Sequence, residues 1–340
     1  MAGKQSMKIA VVQPLPGIGD MIWHLPHIRA LAAAYGVPVT LVAKPRSLAD
    51  QIWADDPAIA DIMWIDINPS GRRGAHDGAG GFLRLVRDLR QRHFTHMIML
   101  HHSHTIAAAG MLAGIAHRSG YGWGKQRWFL NTGPYLPKDV ARLHQHTRAT
   151  RFLDISGVPL PSAEPMLPVS SAASEAVRTR IPEASRPFIA IGIGSSEKTR
   201  QWGADNLAGL ASTLLQAGWP AVALLGGPED QPIAAAIQEH LGPDAHRAFP
   251  ALGWHLSETA ALLAQSSFYV GNNTGVMNMA AAAGVRTYAL FGTTPPFHHA
   301  SQILPILSPH GGPNDGMARV TLDAVCAAIK ADRGTLAPPR

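Results

Sequence analysis

An aspartate three residues past a glycine, just beyond an apolar run, is the first place in this chain where chemistry could be organised. Gly17-Ile18-Gly19-Asp20 follows the run Lys8–Gln13 and opens a helical pattern, the position where a phosphate-binding turn belongs. The dinucleotide fingerprint needs a further glycine three residues past the second, and that position is Ile22. Gly192-Ile193-Gly194 fails in the same way, with Glu197 there. No G-x-x-x-x-G-K-[ST] and no G-x-S-x-G occurs, so neither a P-loop nor a serine-hydrolase elbow is expected. Asp20 has two readings. It caps the free N–H groups of a helix start, or it acts as a general base at the ligand-facing end of a strand.

The second half of the chain carries a denser set. Gly271-Asn272-Asn273-Thr274-Gly275 follows the apolar FYV and opens VMNMAAAAG, a polar turn that aims N–H donors and a helix dipole at one spot. Gly292-Thr293-Thr294 is a second small polar turn. Ser195-Ser196-Glu197-Lys198-Thr199-Arg200-Gln201-Trp202 brings hydroxyls and two cations, and Leu225-Gly226-Gly227-Pro228-Glu229 brings a carboxylate. Each alone is an ordinary loop. All four fall at strand C-termini, where open α/β sheets bind ligands, and together they predict a nucleotide site.

Metal chemistry has weaker support. Neither D-x-D nor H-E-x-x-H is present. His101-His102-Ser103-His104 and His298-His299 are adjacent rings, which point opposite ways at a strand end instead of converging on one ion. They are expected to act as hydrogen-bonding or acid–base groups, and no metal or other cofactor is expected.

These groups are positioned by alternating short apolar runs and helical stretches. Strands are predicted at Lys8–Gln13, Val39–Ala43, Ile62–Ile65 and His96–Leu100, with helices at Asp20–Tyr35, stopped by Gly36, and at Phe82–Arg92. Pro159, Pro161, Pro165 and Pro168 then interrupt the pattern. It restarts with strands Phe188–Ile193, Ala221–Leu225, Phe268–Val270 and a last strand Thr287–Phe291. The helices between and around them are Asn206–Gln216, Glu229–Leu241, Ser257–Ala264 and Val276–Ala283. Strand–helix alternation predicts parallel sheets with crossover helices. The expected organisation is an α/β domain over 1–158, a Pro-rich linker and domain entry over 159–187, a second α/β domain over 188–330, and a disordered tail over 331–340.

Composition bounds the partners. The 340 residues are 46% hydrophobic and 15% charged, too apolar for a disordered chain and long enough for two domains. Mean hydropathy is +0.02 and no run approaches a membrane span. The start MAGKQSMKIAVVQ lacks a signal-peptide pattern, and the single Cys326 excludes a disulfide framework, so a cytoplasmic protein is expected. Lys+Arg 29 against Asp+Glu 23 gives +6, which suits an anionic ligand or an anionic membrane surface. No basic run interleaved with aromatics points to nucleic acid.

Four stretches together resemble the ADP-heptose–lipopolysaccharide heptosyltransferases, glycosyltransferase family nine. They are GIGDMIWHLPHIRAL (Gly17–Leu31), HQHTRATRFLDISG, Arg200-Gln201-Trp202 with Lys198 nearby, and NTGVMNMAAAAGVRTYALFGTTPP. The likeness runs from about Met7 to Ile329. It implies a GT-B fold, two Rossmann-like doubly wound parallel-sheet domains facing across a cleft. The implied reaction is an inverting, metal-independent transfer of a sugar from a nucleotide donor, ADP-heptose, to a hydroxyl of a glycan or glycolipid acceptor such as lipopolysaccharide core. Asp20 falls on the family's catalytic base.

The resemblance further implies that Ser195, Ser196, Lys198 and Arg200 lie near phosphate, Glu229 near the ribose, and Thr274 and Gly275 at the diphosphate. Gly19, Trp23, His24, His101, His102 and His104 are the acceptor-side candidates, with core packing as the alternative for Trp23. Two positions depart from the family pattern: Asn273 stands for its Asp and Asn278 for its His, so both are uncharged. They motivate a second reading, a nucleotide-sugar-binding protein without catalysis or with another specificity. A third, a GT-B nucleotide-sugar 2-epimerase, would need other acid–base carboxylates. Peripheral contact with the anionic inner membrane is the expectation for a lipid-linked acceptor.

Overall fold

The computed structural model describes residues 7–54, 56–68, 72–195, 197–292, 295–296, 299–308 and 316–338. The chain divides into two units, Met1–Ala163 and Glu164–Arg340.

In the first unit the strands are β1 (Ile9–Gln13), β2 (Val39–Ala43), β3 (Ile59–Trp64), β4 (His96–Met99) and β5 (His117–Gly120). They form one parallel sheet ordered β3-β2-β1-β4-β5. β1 and β2 are buried at every position, as expected of apolar strands covered on both faces. The helices are α1 (Ile18–Tyr35), α2 (Ala49–Ile52), α3 (Gly78–Gln91), α4 (His104–Leu112) and α5 (Gln145–Ile155). α1 ends where Gly36 takes a left-handed φ of 67° and its N–H reaches back to Ala32 and Ala33, a conformation that glycine adopts without strain. α5 packs against α1, so Met21 to Ile28 is buried without interruption.

The second unit opens with α6 (Ser171–Arg180), which packs on α9 (Leu256–Gln265). The segment 159–187, expected as a Pro-rich linker and entry to the second domain, holds this helix. No proline falls between Pro168 and Pro182, which leaves room for the helix, and the Ser170 hydroxyl accepts from the Ala173 N–H to cap it. Its sheet contains β6 (Phe188–Gly192), β7 (Ala221–Gly226), β8 (Ala248–Leu252), β9 (Tyr269–Asn272), β10 (Thr287–Phe291) and β11 (Ile303–Leu307), ordered β11-β10-β9-β6-β7-β8 and parallel throughout. The remaining helices are α7 (Ala204–Gln216), α8 (Gln231–Leu241), α10 (Gly275–Ala282) and α11 (Leu322–Arg333).

Three strands escaped the sequence reading, and β10 is not the last. β8 and β11 carry Pro250 and Pro305, which cannot donate to a ladder, and both occupy sheet edges where one side needs no donor. β5 is the short polar edge strand HRSG of the other sheet. Nor are residues 331–338 a loose tail. Leu336 is buried, and the Trp219 indole N–H donates to its carbonyl at 2.5 Å.

Candidate active site

In the first unit the site grows from the end of β1. Gly17 is the N-cap of α1, and its N–H donates to Asp20 Oδ2 at 3.3 Å. A Cβ on Gly17 would lie 2.7 Å from that oxygen, so only glycine lets the carboxylate fold back this far. Asp20 Oδ1 accepts a hydrogen bond from Gln145 Nε2, brought in by the start of α5. Asp20 is thus half-buried and held at both oxygens. Gln145 carried no signal of its own in the sequence.

His24 and Trp23, two of the acceptor-side candidates, are buried. Both lie under α5 on the buried side of α1: His24 is 0% exposed, and Trp23 is buried with its ring edge-on to His144 and His146. His24 Nδ1 donates to the Asp20 carbonyl at 2.7 Å, and Gln13 Nε2 donates to the same oxygen at 3.3 Å. Burial pushes the His24 pKa down to about 4, against the opposing Asp20 bond and with help from His146 and His101, so the ring is neutral. Its role is to hold the backbone of Asp20. Gly19 is likewise buried in the first turn of α1.

The three histidines after β4 diverge. His101 is half-buried, and its pKa is also lowered to about 4, by burial first and then by His102, Lys44 and Arg148. His102 is exposed and its Nε2 donates to the Trp123 carbonyl at 2.8 Å. His104 is exposed at the first position of α4. Lys44 and Arg148, which the sequence reading did not single out, add positive charge here. Among the described residues no group of three or more His, Cys, Asp or Glu side chains could hold a metal ion.

In the second unit the chain order reverses between β6 and β9, the switch point at which doubly wound sheets bind ligands. Asn272 organises it. Its Oδ1 accepts from the Trp202 N–H at 3.1 Å, and its Nδ2 donates to the Gly194 carbonyl at 3.1 Å and to Gln201 Oε1 at 2.8 Å. The loop 193–202 is therefore shaped by a buried amide on the neighbouring strand. Within it Ser195 Oγ donates to the Glu197 carbonyl at 2.8 Å, and Arg200 pairs with Glu197 at 3.0 Å. Lys198 is exposed. Ser196, Thr293, Thr294 and His298 lie outside the described residues.

Asn273 is buried, Thr274 is the N-cap of α10 and Gly275 is its first residue. Asn278 follows one turn on. It is 6% exposed, and its Oδ1 has no hydrogen-bond partner among the described residues. Glu229 is exposed. Its neighbour Asp230, passed over in the sequence, is the buried carboxylate, placed at the ends of β6 and β7. Cβ atoms on Gly194 and Gly226 would lie 2.2 and 2.5 Å from its Oδ2, and the Gly227 N–H donates to that oxygen at 2.8 Å. Burial raises its pKa, the Gly227 bond opposes this, and the Glu229 charge adds to the rise.

Comparison with known proteins gives the family. The family model "Glycosyltransferase family 9 (heptosyltransferase)" matches residues 82–306. The chain is 29% identical over 226 residues to lipooligosaccharide heptosyltransferase 2 of Haemophilus influenzae, a match covering 63% of this chain and 64% of that protein, slightly under two thirds of its length. It is 26% identical over 320 residues to lipopolysaccharide heptosyltransferase 2 of Salmonella typhimurium, covering 89% of each. The solved ADP-heptose lps heptosyltransferase II of E. coli superposes with a TM-score of 0.76 at 23% identity, over 96% of this chain and 98% of that one. The two doubly wound sheets are those of the GT-B fold. With the family model spanning well over half its residues, the chain belongs to glycosyltransferase family 9, the heptosyltransferases.

Proposed function

We propose that this chain transfers heptose or a closely related sugar from an ADP-linked donor to a hydroxyl of a surface-glycan acceptor, such as lipopolysaccharide core. The observation that carries the reading is Asp20, a carboxylate held by Gly17 and Gln145 at the C-terminal edge of β1. An acceptor hydroxyl is a weak nucleophile, and Asp20 takes its proton as the new C–O bond forms. One carboxylate acting in a single displacement gives inversion at the anomeric carbon. The departing diphosphate needs positive charge, which the α10 N-terminus, Lys198 and Arg200 supply without a metal, with the Ser195 hydroxyl beside them. Glu229 and Asp230 are the acceptors for ribose hydroxyls. Asn273 and Asn278 are neutral, and the unpartnered Asn278 Oδ1 suits a sugar hydroxyl as donor.

The relatives named above act on lipooligosaccharide and lipopolysaccharide, and the E. coli structure is of an ADP-heptose enzyme. Retention of Asp20, Lys198 and Arg200 favours a catalyst over a binding protein that lost the chemistry. No helix among the described residues is long and apolar enough to cross a membrane. We place the enzyme at the cytoplasmic face of the inner membrane. Contact runs through α3 and α4, where exposed Leu83 and Leu112 flank a groove of about 380 Å³ lined also by Arg87 and Arg90. Arginines around exposed leucines suit an anionic lipid surface.

Purified protein incubated with a panel of nucleotide sugars tests the whole reading. ADP-heptose is consumed slowly alone and faster with a lipopolysaccharide core acceptor, with inverted anomeric configuration and no effect of EDTA. Consumption of no donor means a binder, and formation of a new nucleotide sugar means an epimerase.

A further inference from the structure

We propose that Gln145 is a positioning residue for Asp20: its Nε2 donates to Oδ1 and holds the carboxylate in the rotation at which it meets the acceptor hydroxyl. The proposal rests on the reading of Asp20 as the base. Four groups converge on this one residue. Gly17 N–H donates to Oδ2, Gln145 to Oδ1, and Gln13 and His24 to the backbone carbonyl. The Gln145 contact comes from another helix and spans 125 residues of chain. That helix is itself fixed, because His144 caps it with its ring nitrogen and α5 packs along α1. A hydrogen bond to the ionised form of a carboxyl group favours that form, and it also removes rotation about the last bond of the side chain.

The titratable and charged groups on the two helices that meet at Asp20 are His24, His27 and Arg29 on α1, and His146, Arg148, Arg151 and Asp154 on α5 with His144 at its N-cap. His101, after β4, lies close enough to His24 to act on it. An amide at position 145 adds a donor without adding charge. Glutamate there would set two carboxyl groups against each other, and the pair would share a proton.

The test uses the full chain labelled with 13C at the aspartate carboxyl groups, with the Asp20 signal identified by its loss in Asp20→Asn. In Gln145→Ala the Asp20 midpoint rises by about one pH unit, the size expected on losing a charge-assisted hydrogen bond. In Gln145→Glu it rises further. The acid limb of sugar transfer from ADP-heptose to lipopolysaccharide core moves up by the same amount, so activity lost on that limb returns as pH rises. A merely structural glutamine would lower the rate at every pH and leave both midpoints in place, and that result overturns the proposal. Gln145→Asn, too short to reach, provides the second variant should the alanine form fold poorly. If Asp20→Asn transfers sugar normally, the base reading falls, while the carboxyl titration still decides whether Gln145 controls Asp20.

Discussion

Replacing Asp20 by asparagine separates its two roles, helix cap and general base. The introduced amide keeps one oxygen, which can still accept from the Gly17 N–H now donating at 3.3 Å. Its new NH2 then faces Gln145, whose amide can turn over to present its own oxygen. The structural loss is the difference between charge-assisted and neutral hydrogen bonds plus the helix-dipole term, about 1 kcal/mol. In a chain of this size that lowers Tm by roughly 2–4 °C. The chemical loss is larger. A positioned general base contributes about 10²–10⁴ in rate, equivalent to about 3–5 kcal/mol of barrier. Expected, then, are a small change in thermal midpoint, unchanged ADP affinity by calorimetry, and kcat down at least ~100-fold. The assay is transfer from ADP-heptose to a lipopolysaccharide core acceptor, read as ADP release. A variant that melts far earlier while its folded fraction turns over normally would refute the reasoning and leave Asp20 as a cap alone.

Three further outcomes follow from the same structure. Lys198→Ala should weaken ADP binding by roughly 10–150-fold, the range of a charge-assisted hydrogen bond, and wild-type titration curves would remove Lys198 from the phosphate site. His24 has its pKa lowered to about 4 from 6.5, so the unfolded chain binds more protons between these values, and the stability the neutral ring supports is lost as pH falls through 6.5 toward 4. Urea melts should show that slope reduced in His24→Gln, and an unchanged slope would place the titration elsewhere. Leu83→Glu combined with Arg87→Glu should abolish sedimentation with phosphatidylglycerol vesicles while sparing ADP binding, and undiminished sedimentation would move the membrane contact off α3.

Much of this protein is decided within a few residues of chain. The apolar runs IAVVQ and VTLVA, the glycine stop at Gly36 and the strand Thr287–Phe291 are legible because alternation and turn chemistry act locally. So is the place of Asp20 in the first turn of α1, and that of Asn273, Thr274 and Gly275 at the start of α10. Burial and pairing are not local. Trp23 and His24 stand out in the sequence, but their burial is not legible there. Glu229 and Asp230 are indistinguishable in sequence, and the absence of side chains on Gly194, just past β6, and Gly226, at the end of β7, makes room to bury the second. β8 and β11 are masked by prolines that become harmless at a sheet edge. Gln145 meets Asp20 across 125 residues, a contact set by how α5 packs on α1 and by nothing in the neighbourhood of either residue.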